Sequence, residues 1–77
     1  TPEERPVHLA ELRALCRVLA GPAASEAVKA LSAAMAAPDD DGRLAAAERA
    51  LDGLPSKPRR RVLASFAALR REAGHAR

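Results

Sequence analysis

A chain of 77 residues makes one domain, and at that size folding removes only about 60% of the surface the unfolded chain exposes. Its 48% apolar content is mostly alanine, with one Phe and no Trp or Tyr, which excludes a thick aromatic core and calls for closely approaching helices. The net charge is +3 and the pI about 10.0, but the charge is unevenly spread. Residues 57–77 carry seven cations against one carboxylate, a net of +6, which leaves −3 for residues 1–56.

No apolar run nears the roughly 20 residues that a membrane-spanning helix needs, and no signal-peptide pattern precedes the first helix, so no membrane contact is expected. Cys16 is alone, which removes an intramolecular disulfide and any zinc-ligand spacing and fits a reducing, cytoplasmic setting. Residues 1–77 read as a single helical domain, and a start at Thr1 rather than Met suggests a piece excised from a larger protein. The Ala-, Arg- and Leu-rich usage points, by association, to a bacterial source with a GC-rich genome.

Thr1-Pro2-Glu3-Glu4 has the form of a capping box. Pro6 interrupts it, so the main first helix is expected over about 6–20. There Leu9, Leu12, Leu15, Cys16 and Leu19 share one face, and Gly21-Pro22 stops the helix. A second helix over about 23–36 turns Ala24, Ala27, Val28, Leu31, Ala34 and Met35 inward, with Ala30, Ala33 and Ala37 as an outer alanine strip. Pro38-Asp39-Asp40-Asp41-Gly42 breaks the pattern, and one of these aspartates caps a third helix over about 41–52 with Leu44, Ala47 and Leu51 inward. Gly53 ends it, Leu54 folds back onto the core, and Pro55-Ser56-Lys57-Pro58 leads into a fourth helix over about 58–73, closed by Gly74.

On that fourth helix Val62, Leu63, Phe66, Leu69 and Ala73 gather on one side, with Phe66 expected at the centre of a core-facing stripe and Arg59 and Arg70 along its border. The opposite side carries Lys57, Arg60, Arg61 and Arg71 around the small residues Ala64 and Ala68. β-Branched residues are limited to Thr1 and four scattered valines, and no period-two run occurs. The fold class is therefore all-α, a compact bundle of four short helices joined by Gly/Pro/Asp-rich turns.

Two stretches resemble known motifs. Asp39-x-Asp41-Gly42-Arg43-Leu44-x-x-x-Glu48 resembles the second half of an EF-hand calcium loop, although the first ligand position falls on Ala37 and Pro38 follows it. The same aspartates serve equally as an acidic helix start. Leu51-x-x-Leu54-Pro55-x-x-x-Arg59-x-x-Val62-Leu63 is similar to the leading helices of the fourth region of bacterial sigma factors. That match spans some thirteen residues, and no positions remain downstream to receive the family's DNA-reading residues.

Catalysis finds no support in these residues. His8 and Cys16 stand eight positions apart with no orienting group, no glycine-rich phosphate loop is present, and so small a domain has little room for a substrate pocket. No cofactor, metal site or small-molecule substrate is expected. The expected function is a non-enzymatic protein–protein interaction module for docking or oligomerisation. In it Lys57, Arg60, Arg61 and Arg71 orient an acidic surface of a partner, or of a second copy, and Ala64 and Ala68 permit close approach. The alternative is sequence-nonspecific binding of nucleic-acid phosphates by the same cations. Specific readout is disfavoured because the chain contains neither Asn nor Gln, which leaves Arg as the only strong base reader.

Overall fold

Proline and glycine punctuate the chain at the positions where the helices begin and end. The computed structural model describes residues 5–75, without the side chains of Gly74 and His75, and contains four α-helices and no strand among the described residues. The capping box at Thr1–Glu4 and the last two residues lie outside them. Helix α1 spans Arg5–Leu19, so Pro6 sits in its first turn, where a missing amide costs no internal hydrogen bond. Gly21 ends this segment at φ 55°, the left-handed conformation that a residue with a Cβ rarely adopts.

The chain does not enter the second helix directly. Pro22 lies in a 3₁₀ turn, Gly21–Ala24, which leads into α2 over Ser25–Ala36. After Pro38, Asp40 caps α3, Asp41–Asp52, by accepting a 3.1 Å hydrogen bond from the Arg43 amide. The Gly53 amide then closes on the Arg49 carbonyl at 3.0 Å, with Gly53 at φ −80° rather than left-handed. Helix α4 runs Ser56–His75. It starts two residues before Pro58, because that proline falls in the first turn, where its lack of an amide is harmless. It also continues one residue past Gly74, which therefore does not act as the expected stop.

Helix α2 packs between α1 and α3, while α4 packs against α1. Hydrogen bonds from Arg5 to the Pro38 carbonyl and from Arg13 to Ser32 Oγ tie the start of α1 to the end of α2 and make the two antiparallel. The Cα envelope measures 35 × 28 × 15 Å, and the short dimension fits two helix layers, an interaxial distance of ~8–10 Å plus one Cα cylinder of ~4.6 Å.

The core is correspondingly lean: Leu9, Cys16, Ala24, Ala27, Leu31, Ala34, Ala47, Leu54 and Val62. The expected inward residues of α1, α2 and α3 all lie in this cluster or pack against it, and Leu54 folds back as expected. Two expectations need correction. Among the described residues of α4 only Val62 is buried, while Phe66 is half-buried and Leu63 and Leu69 are 47% and 38% exposed. The helix packs mainly against α1, and one main neighbour covers a narrower stripe than the sequence offers. The outer alanine strip of α2 is also less open than expected, because Ala30 packs against the core and Ala37 is half-buried, whereas Ala33 is exposed.

Candidate functional site

The arginines divide into two groups with different work. One group ties helices together. Arg59 Nη1 donates to the Asp52 carbonyl at 2.8 Å and so satisfies an open acceptor at the C-terminus of α3. Arg43 does the same for α2 through Ala33, and stays within 3.6 Å of the Asp40 carboxylate. Arg5 reaches the Pro38 carbonyl at 3.0 Å and lies 3.9 Å from Asp39.

Arg70 forms the main polar link between α4 and α1. Its Nη2 donates to both carboxylate oxygens of Glu11, at 2.6 and 2.7 Å, and its guanidinium carbon sits 5.5 Å from the centre of the Phe66 ring. His8 of α1 meets the same ring edge-on, at 5.8 Å between centroids and 84° between planes. This arrangement explains the position of Phe66. The ring meets a cation and an imidazole at the margin of the core, and both a cation over the face and a T-shaped ring pair suit its quadrupole. The His8 Nε2 and Arg70 Nε atoms are buried there without hydrogen-bond partners among the described residues.

The second group is Lys57, Arg60, Arg61 and Arg71. All four are exposed, and none takes part in a hydrogen bond or ion pair among the described residues. Arg60 and Arg61 stand 3 and 4 positions after Lys57, and Arg71 stands 11 after Arg60, which places the four along one side of α4, opposite Val62. Ala64, exposed, and Ala68, half-buried, lie between them. The fold thus brings together every residue expected of the basic face. Arg59 and Arg70, expected along the border of the apolar stripe, are engaged within the fold.

A groove also opens between α1 and α3, with a volume of about 290 Å³. Leu31 of α2 forms its floor, Leu9 and Leu12 one wall, and Leu44, Ala47 and Leu51 the other. Among the described residues, Arg5 and Glu48 are the polar ones that line it. No sequence pattern announced this feature, since each leucine was assigned separately to a core face and the separation of α1 from α3 depends on tertiary packing. The carbonyl-capping arginines were likewise missed, although Arg59 stands only seven positions after Asp52 and so had a local signal.

The remaining reactive groups are placed as structural elements. Cys16 is fully buried, and burial pushes its thiol pKa up from the ordinary value, which opposes formation of a nucleophilic thiolate. The Asp39–Glu48 stretch resembling a calcium loop is the capped start and first turns of α3, and among the described residues no group of three or more His, Cys, Asp or Glu is placed to hold a metal ion. No described helix is long and apolar enough to cross a membrane. No protein-family model, curated protein or solved structure matches the chain.

Proposed function

We propose that this domain is a non-enzymatic docking module in which the outer face of α4 meets an acidic surface on a partner protein or on a second copy. One observation carries the reading: of the cations on α4, Arg59 and Arg70 are engaged within the fold, whereas Lys57, Arg60, Arg61 and Arg71 share one exposed side without partners among the described residues. Solvated cations at this density raise the local positive potential, which steers an acidic partner and fixes its orientation. Ala64, between them, lets a partner backbone approach closely. The lone buried thiol of Cys16 suits a reducing compartment such as the cytoplasm.

Sedimentation across a concentration series, together with titration by a glutamate-rich helical peptide, tests this reading. Binding of that peptide by the native chain, and its loss by about tenfold in the R60E/R61E/R71E variant, is the expected result. A strictly monomeric chain that binds no acidic peptide contradicts it.

The same four cations support a second reading, contact with nucleic-acid phosphates. That reading requires affinity for duplex DNA to fall steeply with salt, at about −0.9 in log–log slope per phosphate contact. Mobility-shift titrations at two salt concentrations separate the readings, and the absence of a shift at low salt removes the second.

A further inference from the structure

The α1–α3 groove lies apart from the basic face and differs from it in both shape and charge. Its walls have matching lengths, Arg5 to Leu12 on α1 and Leu44 to Leu51 on α3. Each spans seven positions, two helical turns, or about 10.5 Å. The floor at Leu31 is fully buried, but Leu12, Leu44 and Leu51 are only half-covered, so the walls still expose apolar surface. At about 290 Å³ the groove stands at the lower limit of small-molecule pockets, roughly 300–1,000 Å³, and it suits a short row of aliphatic side chains better than an enclosed ligand.

Charge identifies the row's neighbours. Along α3, Asp41, Glu48 and Asp52 follow one line at spacings of 7 and 4, with Glu48 lining the groove. All three are exposed, and their carboxylates take part in no ion pair among the described residues. The cations of α3 do not offset them there: Arg43 is turned to the Ala33 carbonyl and Asp40, and Arg49 lies about 100° further round the helix than Glu48. Arg5, at the groove's other margin, is held by the Pro38 carbonyl and Asp39.

We infer that this groove docks an amphipathic helix of a partner protein whose apolar residues, spaced i, i+3 or i+4, and i+7, are flanked by lysine or arginine on the side facing α3. Two turns of such a helix match the length of the walls, and its cations meet the line Asp41, Glu48, Asp52. The basic helix of a second copy is a poor occupant. On α4 the exposed leucines, Leu63 and Leu69, lie about 120° apart at the two edges of the apolar stripe, and Phe66 between them is already engaged by His8 and Arg70.

The experiment uses the full chain and two synthetic helical peptides of roughly 18 residues, each with leucine at these apolar positions, one flanked by lysine and one by glutamate. Amide chemical shifts are followed during titration. The lysine peptide is expected to shift Leu12, Leu44, Glu48 and Leu51 to saturation, and the D41K/E48K/D52K variant, with unchanged helicity, to weaken this by about tenfold. The glutamate peptide is expected to leave these amides unmoved and to act on α4, where it reports on the basic face independently. Shifts from the lysine peptide that map elsewhere, equal groove binding by the two peptides, or no effect of the charge reversal each overturn the inference. A dimer that shifts the groove amides without peptide, as concentration rises, also overturns it in favour of a second copy.

Discussion

Helices α2 and α4 divide the work of the molecule. Helix α2, with 12 residues, buries Ala27, Leu31 and Ala34 and packs against helices on both sides. Helix α4, with 20 residues, buries Val62 alone among its described residues and is otherwise held by the cluster of Glu11, His8, Phe66 and Arg70 and by the Arg59 bond to Asp52. The shorter helix holds the fold together, and the longer one is attached by a narrow seam that leaves most of its surface, and four of its cations, in solvent. An element that contributes so little burial for its length is the natural place for a contact surface.

The largest expected effect comes from breaking α2. Leu31→Ala removes a fully buried side chain where three helices meet and is expected to cost about 2–5 kcal/mol of unfolding free energy in a denaturant titration. Val62→Ala, the corresponding change on α4, is expected to cost about 2 kcal/mol and to raise amide exchange along α4 ahead of α2. Uniform exchange in both helices would show that the seam is no weaker than the centre.

The polar attachment is smaller. A double-mutant cycle with Glu11→Gln and Arg70→Met is expected to give a coupling of about 1 kcal/mol, because the pair is doubly hydrogen-bonded yet its side chains remain 23% and 33% exposed.

Cys16 gives a pH-dependent signature of the central region. Burial raises the thiol's folded-state pKa above the ordinary 9.0, so the folded chain holds that proton more tightly than the unfolded one. Its contribution is complete below pH 9.0 and declines as pH rises past that value. Cys16→Ala should be less stable at neutral pH and lose less than the native chain on going to alkaline pH, as denaturant midpoints would show.

Much of the fold was legible because local chemistry fixes it. Gly21-Pro22, Pro38 followed by three aspartates, and Gly53 each end or start a helix through their own backbone preferences, and the 3.6-residue periodicity of α1 and α2 identified the buried faces. The departures arise where tertiary context decides. Phe66 has the hydrophobicity of a core centre, yet its place was set by His8 and Arg70, far away in sequence. Arg70 and Arg71 are adjacent and chemically identical, and only the position of Glu11 assigns one to the fold and leaves the other in solvent. The basic face itself was readable from spacing alone, whereas the groove needed the relative placement of α1 and α3.

The smallest expected effect on stability bears most directly on the account. R60E/R61E/R71E should unfold within about 0.5 kcal/mol of the native chain, since these side chains are exposed and take part in no hydrogen bond or ion pair among the described residues. The same variant should bind the glutamate-rich peptide about tenfold more weakly. Stability and peptide affinity measured side by side on the two chains therefore form the deciding measurement. Unchanged stability with lost affinity is the predicted result, and a large drop in stability or unchanged affinity would contradict the division between a structural centre and a contact helix.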